Sequence, residues 1–202
     1  MRVRPRLSAC LAALCLAVAV IGQASASQGV SRPTDINKKI APSRLTALQG
    51  LYQKQIDAKQ WDDALRTLDQ MGGCPACTAL WHLRVYALSG DTANYVSTAE
   101  ILLQGKFKGD PDVLNEIAWY IVNPDETTLR PRNLDLARET AEKAVLLSKR
   151  KDAGLLDTLA WTYHWMGQNE KATKVEREAL DRAVPSEKDV YRRTLHLDFN
   201  PW

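Results

Sequence analysis

Apolar positions recur with a helical period along most of this sequence, and residues 155–185 show the pattern most clearly. Two apolar stripes follow each other there: Leu156, Leu159, Ala160 and Tyr163, then Ala172, Val175, Ala179 and Leu180. Gly167 lies between the stripes, where a left-handed helix cap is expected, and Pro185 ends the second stripe. The pattern predicts two helices folded into a hairpin, and the alanines allow their backbones to approach closely.

The same pattern predicts three further helical hairpins in the preceding part of the chain. Their paired helices are Arg44–Lys59 with Trp61–Met71, Pro75–Ser89 with Thr92–Gln104, and Pro111–Val122 with Leu134–Arg150. A Pro-containing insertion, residues 123–133, separates the helices of the third hairpin. A final helix is predicted over Ser186–Phe199. We therefore expect an all-α fold.

The hairpins resemble the tetratricopeptide repeat, a helix-turn-helix unit of about 34 residues. In the last hairpin, the family's signature positions hold Leu159, Ala160, Tyr163, Gly167, Ala172 and Ala179. Leu156 replaces the usual Trp, and Pro185 falls one position late. The resemblance is weaker in the first two hairpins, where Lys59 replaces the turn glycine and Tyr95 replaces a small alanine. It implies an α-solenoid of three to four hairpins with a C-terminal capping helix.

The first residues have the pattern of a secretory signal peptide. Three arginines precede the apolar run Leu7–Ile21, and Ala24-Ser25-Ala26 matches an A-x-A cleavage site. The sequence thus predicts a signal peptide over residues 1–26, a flexible leader over 27–43 and a repeat domain over 44–202. The apolar run is short for a retained membrane anchor. We expect a periplasmic or secreted protein without stable membrane insertion after cleavage.

Charge and motifs exclude several classes of function. The chain has 27 Lys and Arg and 24 Asp and Glu, and the predicted signal peptide holds three Arg and no acid. The mature chain therefore has 27 − 3 = 24 bases against 24 acids, with no basic patch for nucleic acid. The sequence contains no Gly-rich phosphate loop, no nucleophile elbow and no paired metal-binding carboxylates. We expect neither an enzyme nor a cofactor nor a metal.

The repeat resemblance also implies a concave groove that binds a protein or peptide. The first helices of the last two hairpins would supply Asn115, Trp119, Val122 and Asn123, and Asp157, Trp161, His164 and Trp165. Trp119 and Trp161 hold the same repeat position, so we expect them to stack along the groove. Tryptophan is enriched among interface hot spots. The alternative is that these rings pack between neighbouring repeats. Asp157 stands where clamps for C-terminal carboxylates have Lys, so such a ligand is not expected.

Cys74 and Cys77 form a C-x-x-C pair at the start of a predicted helix. A disulfide that clamps the loop between repeats is one interpretation, since an exported protein meets an oxidising environment. Thiol-disulfide exchange is the second, because a helix N-terminus stabilises a thiolate. A metal site that includes His82 is the third. His82, His164 and His196 have no acid-base partner that the sequence identifies, and we expect them to be structural or solvated.

The sequence therefore predicts an exported, non-catalytic binding or scaffold module with a protein or peptide partner. The groove hypothesis assigns the contacts to the tryptophans and their polar neighbours on the same helices. A thiol-disulfide accessory protein that uses the C-x-x-C pair is the alternative function. A third possibility is a subunit of an envelope assembly, in which the leader is a docking tail.

Overall fold

The structure is a computed structural model. It describes residues 41–72, 75–105 and 107–199, except for the side chains of residues 75–77, 197 and 198. The predicted signal peptide and most of the predicted leader lie outside the described residues. Within the described ranges, the chain is helical and contains no strand, so the predicted all-α class is confirmed.

Eight helices of more than ten residues follow each other through the chain. They are α1 Pro42–Asp57, α2 Trp61–Met71, α3 Pro75–Ser89, α4 Thr92–Gln104, α5 Pro111–Val122, α6 Leu134–Leu147, α7 Ala153–Trp165 and α8 Asn169–Arg182. Four of them, α2 to α5, have the predicted bounds. The sixth helix ends before its predicted end because Lys149 and Arg150 have positive φ angles of 54° and 56°, which no right-handed helix accommodates.

The predicted final helix over residues 186–199 is helical without interruption to residue 198, but its helix type changes along its length. A 3-10 turn, Pro185–Glu187, precedes the short helix α9, Lys188–Arg193, and a π-helical turn follows over Thr194–Asp198. The N–H of Phe199 donates to the carbonyl of Thr194 at 3.1 Å, which is the wider i to i+5 bond of a π turn. We call residues 185–199 the C-terminal segment.

Side-chain caps explain where four of the long helices begin. Asp91, Asp110, Asn133 and Asp152 precede α4, α5, α6 and α7, and each accepts a hydrogen bond from a backbone N–H of the first turn. Pro111 occupies the first helical position after Asp110, where its missing N–H costs nothing. Short polar residues thus mark the starts of these helices through local hydrogen bonds.

Three turns, each after the first helix of a hairpin, have a residue in the left-handed conformation at the same position. Lys59, Gly90 and Gly167 have φ angles of 56°, 80° and 73°. The next residue in each turn donates its N–H to the carbonyl five positions earlier, at 2.8 to 3.0 Å, as in a Schellman cap. The predicted left-handed cap at Gly167 is confirmed, and Lys59 adopts the conformation that its place in the repeat demands.

The described residues form two compact units, with the boundary between Val85 and Tyr86 inside α3. In the first unit, α1 packs against α2, and buried residues of the two helices include Leu48, Tyr52, Ala64 and Leu68. The ring of Tyr52 meets the ring of Trp81 edge to face, with centroids 5.3 Å apart. This geometry is favoured for aromatic pairs.

In the second unit, α5 to α8 pack in succession, and α5 also contacts α7. The small residues of the repeat pattern, Ala118, Ala137, Ala144, Ala160, Ala172 and Ala179, are fully buried. Fully buried Leu114, Ile117 and Leu156 fill the space around them. The C-terminal segment packs against α8 through α9 and the π turn.

Tyr95 in α4, which stands where the repeat pattern has a small alanine, is an interior residue of the second unit. The side chain is buried, and its hydroxyl donates a hydrogen bond to the carbonyl of Ile117 in α5 at 2.6 Å. Burial, and then the negative charge of Glu116, raise the pKa of Tyr95 well above its ordinary value. The phenol therefore keeps its proton, so this polar group is satisfied inside the unit.

The insertion between α5 and α6 binds the ends of two helices. The N–H of Thr128 donates to the carbonyl of Ala87 at 2.9 Å, and its hydroxyl donates to the carbonyl of Leu88 at 2.9 Å. Arg132 donates from its guanidinium to the carbonyl of Ile121. These bonds satisfy carbonyls that the ends of α3 and α5 leave without a helical partner. The insertion is therefore part of the packed structure of the second unit.

Candidate protein-interaction site

The predicted groove residues lie on α5, at its C-cap and on α7, and their exposure differs widely. Trp161 is 2% exposed, whereas Trp165, one turn later on the same helix, is 39% exposed. Trp119 is buried on α5, and Asp157 is fully buried on α7. Of the three tryptophans predicted to line the groove, only Trp165 is therefore exposed, and the predicted polar contact Asp157 is buried.

The two predicted asparagine contacts also differ from each other. Asn123 is buried, and its Oδ1 accepts a hydrogen bond from the N–H of Asp125 at 2.9 Å. This oxygen stabilises the start of the insertion, as in an Asx turn. Asn115 is half-buried, and its Oδ1 has no hydrogen-bond partner within the described part of the chain. This oxygen of Asn115 is itself buried, so it is not exposed to a partner.

Four aromatic side chains form one continuous cluster at the C-terminal half of α7. Its members are Trp161, His164, Trp165 and Phe199. The ring of Phe199 stacks on His164 with centroids 4.8 Å apart and an interplanar angle of 24°. It meets Trp161 edge to face at 5.1 Å. His164 also contacts Trp161 at 5.6 Å and Trp165 at 5.9 Å. The repeat positions 161, 164 and 165 thus share one surface.

Phe199 explains why Trp161 is enclosed. It comes from the C-terminal segment and lies against two of the positions that the repeat resemblance assigns to the groove. Its own side chain is buried. The aromatic wall of α7 is therefore covered over Trp161 and His164 by the chain itself, and it is open at Trp165.

Trp165 is exposed and yet held in place at two points. Its indole N–H donates to the carbonyl of Val122 at the end of α5, at 2.8 Å. The guanidinium carbon of Arg132 lies 4.1 Å from the centroid of the indole ring, which is the geometry of a cation–π contact. Trp165 therefore joins α7, the end of α5 and the insertion.

Arg132 remains a cation in this position. Burial, and then the positive charge of Arg130, lower the pKa of Arg132 to about 10. At neutral pH the guanidinium still carries its charge and faces the negative surface of the indole ring. Trp165 and Arg132 together present a fixed apolar ring beside a positive charge.

Sequence reasoning missed Arg132 and Phe199 as members of this surface. Arg132 lies in an insertion without hydrophobic periodicity, and Phe199 lies beyond the last repeat. The only indications were that Arg132 is a cation and Phe199 an aromatic residue, and that both lie outside the repeat pattern. Arg132 contacts Trp165, which is 33 positions away, and Phe199 contacts Trp161, which is 38 positions away. No local sequence pattern specifies contacts over such distances.

The predicted disulfide or redox pair cannot be placed, because Cys74 and the side chain of Cys77 lie outside the described residues. The backbone of α3 begins at Pro75, between the two cysteines, as the sequence predicts. His82 has its Nε2 3.3 Å from Oδ1 of Asp69. Where side chains are described, no group of three or more His, Cys, Asp or Glu residues is arranged to hold a metal ion. The three interpretations of the cysteine pair stay predictions.

Across the described ranges, no helix combines the length and the apolar character that a membrane span requires. No protein-family model matches the sequence, and no curated protein sequence matches it either.

Among solved structures, the chain is similar to one titled "MamA RS-1 ArsTM double mutant". The TM-score is 0.52 and the sequence identity is 17%, over 75% of this chain and 81% of that chain. MamA contains tetratricopeptide repeats. At this identity the likeness concerns the fold alone, and it supports a tetratricopeptide-type helical repeat fold for this chain.

Proposed function

We propose that the chain is an exported, non-catalytic interaction module of the tetratricopeptide-repeat family that binds a protein or peptide on the second unit. The binding surface is the end of α5 and the C-terminal half of α7, around Trp165. The repeat-type fold supports a scaffold function, because such folds typically present surfaces to other proteins. The signal-peptide pattern of residues 1–26 supports export to the periplasm or the medium.

The observation that carries this proposal is the fixed, exposed ring of Trp165. An indole that is 39% exposed keeps apolar area in water, at a cost of about 25 cal/mol for each Å². The bond to Val122 and the contact with Arg132 hold this ring in one orientation. A rigid aromatic anchor loses little conformational entropy when a partner covers it. Trp165 therefore has the properties of an interface hot spot.

A capture experiment tests this surface. The mature chain, residues 27–202, is the bait for an envelope extract, next to the variant Trp165→Ala and the matched control Leu146→Ala. Leu146 lies on α6 of the same unit and is 74% exposed, so its removal deletes apolar area away from the proposed surface. Circular dichroism and thermal melting first confirm that all three baits are folded.

We expect one protein to be retained by the unchanged bait and by Leu146→Ala, and to be lost at least tenfold by Trp165→Ala. A tenfold loss corresponds to about 1.4 kcal/mol, which is more than most interface residues lose on truncation. Retention of the same protein by all three folded baits would contradict the proposal. Trp161→Ala is not a suitable bait, because this ring belongs to the buried part of the cluster.

A further inference from the structure

Phe199 occupies the part of the α7 surface that the repeat pattern assigns to a ligand. Trp161 and His164 hold two of the groove positions of the last repeat, and both contact the ring of Phe199. The stacked and edge-to-face arrangement shows which chemistry this surface accepts, namely a flat aromatic side chain that packs against an indole and an imidazole.

The element that carries Phe199 is built from short helical turns. Its regular parts are a six-residue helix and a five-residue π turn. Helices this short are only marginally stable without packing partners. π turns are rare overall, and those that occur are often found at functional sites. Among its residues with described side chains, Tyr191, Thr194 and Phe199 are buried. By contrast, α7 buries nine residues. The C-terminal segment thus has far fewer described buried residues than the helix whose aromatic face it covers.

A polar group beside Phe199 is available to a peptide backbone. Nδ1 of His164 is buried, and it has no hydrogen-bond partner among the residues described. A peptide that replaces Phe199 brings backbone N–H and carbonyl groups to the same place. A hydrogen bond from the peptide to Nδ1 of His164 would then offset the free-energy cost of burying this nitrogen.

We propose that the site formed by Trp161 and His164 binds an aromatic side chain of the partner's peptide, and that Phe199 holds this site in the partner-free chain. The inference rests on the proposed function, since it specifies which ligand the second unit recognises. Trp165 and Arg132 lie at the open border of this site, where a partner makes its first contact. Phe199 then leaves as the aromatic residue of the partner enters.

Competition within one chain has a predictable consequence for affinity. A tethered segment acts at an effective concentration in the millimolar range. A free peptide therefore binds more weakly, by the fraction of molecules in which the segment is open. Weakening the internal contact should increase the affinity for a peptide without any new interaction.

The test uses a fluorescent peptide with the sequence of residues 188–199, KDVYRRTLHLDF, as the probe. Anisotropy measures its binding to the full mature chain and to the variant Phe199→Asp. The charged side chain is costly to bury beside Trp161, so the internal segment opens. The variant should bind the probe at least tenfold more tightly than the unchanged chain does. The matched control probe has Phe199→Ala in the peptide and should lose this binding.

A second receptor with both Phe199→Asp and His164→Ala should also lose the probe. The inference is overturned if the folded Phe199→Asp chain does not bind, or if both chains bind the probe equally. The proposed function survives such a result if capture of the partner still depends on Trp165. If the probe binds as expected and capture is independent of Trp165, the proposed function falls instead.

Hydrogen exchange on the unchanged chain keeps the inference testable if Phe199→Asp does not fold. The N–H of Phe199 bonds to Thr194, and it should exchange at least tenfold faster than the amides in the middle of α7. Such exchange reports an opening of the segment while the rest of the unit stays folded. Equal protection of Phe199 and α7 would place the segment in the permanent core and overturn the inference.

Discussion

Helices α1 and α7 hold the same place in their hairpins, but they are buried to a very different extent. Only three of the sixteen residues of α1 are buried, namely Leu48, Tyr52 and Ile56. Nine of the thirteen residues of α7 are buried, among them the polar residues Asp157, Thr158 and Thr162. The first helix buries a single stripe, whereas the seventh is enclosed on most of its circumference.

The difference comes from the neighbours of each helix within its own unit. Three helices, α5, α6 and α8, pack against α7, and Phe199 covers the remaining aromatic face at Trp161 and His164. In the first unit, α1 packs against α2, and its other faces contain exposed residues such as Leu51. Hydrophobic periodicity therefore specifies which face of a helix is buried. The number of neighbouring elements decides how many of its other residues are buried as well.

The largest expected effect is a difference in the free energy of unfolding between a substitution in α7 and one in α1. Trp161→Ala removes a nearly fully buried indole that contacts Phe199, and should lower the free energy of unfolding by roughly 3 to 5 kcal/mol. The control Leu51→Ala changes an exposed residue of α1 and should change it by less than about 0.5 kcal/mol. Chemical denaturation followed by circular dichroism measures both. A loss below about 1 kcal/mol for Trp161→Ala would show that its burial contributes little.

The turns of the two hairpins should respond to opposite substitutions. Lys59 adopts a left-handed conformation with φ 56°, which costs a residue with a Cβ roughly 1 to 2 kcal/mol. Part of this cost is recovered in Lys59→Gly, which should stabilise the chain by about 0.5 to 1 kcal/mol. Gly167→Ala should destabilise it by about 1 kcal/mol. A Cβ at Gly167 meets no atom within 4 Å, so its effect isolates the backbone conformation.

Thermal melting of both variants checks this pair. Opposite shifts of the melting temperature are expected, and Lys59→Ala is the control, because it removes the long side chain and keeps the strained conformation. If Lys59→Gly and Lys59→Ala gave the same shift, the strain at position 59 would not be the cause.

The smallest expected effect concerns an ion pair that links the last two hairpins. Arg150 and Glu178 form a bidentate contact with bonds of 2.9 and 2.6 Å. The hydrogen bond from Arg150 lowers the pKa of Glu178 below its ordinary value. A lowered folded-state pKa means that the contribution is present above the unfolded pKa and is lost as the pH falls through the folded one.

Because Arg150 is 46% exposed and Glu178 is 28% exposed, solvent screens the pair, and its contribution should be below about 1 kcal/mol. Glu178→Gln should remove it at neutral pH and leave stability unchanged in acid, where the unchanged chain has lost it too. Unfolding curves at both pH values measure this difference. An equal loss in acid would indicate a packing role for Glu178.

The sequence was sufficient for those parts of the fold that short-range rules control. The ends of α2 to α5 follow from the apolar stripes, from caps such as Asp110 and from Pro111. The turn glycine Gly167 follows from its place in the repeat, and its φ angle confirms it. The end of α6 and the change of helix type in the C-terminal segment were not predicted, since no glycine marks the left-handed residues Lys149 and Arg150 and no repeat covers residues 185–199.

The candidate site was predicted in part. The repeat pattern brings positions 161, 164 and 165 to one surface, and the ring contacts confirm that they are adjacent. It left open whether Trp161 lines a groove or packs between repeats, and it did not indicate that the ring of Phe199 covers Trp161. It also did not predict that Arg132 fixes Trp165, because an insertion without a period carries no information about where it packs.

The sequence by itself determined the helices, their hairpins and the register of their small residues, because hydrophobic period, caps and turn residues act within a few positions. Only the tertiary structure decided which of two tryptophans one turn apart stays in contact with water. That choice depends on contacts with Arg132 and Phe199, which lie 33 and 38 positions from their partners. Such contacts form only after the helices have packed, so the pattern along one helix does not encode them.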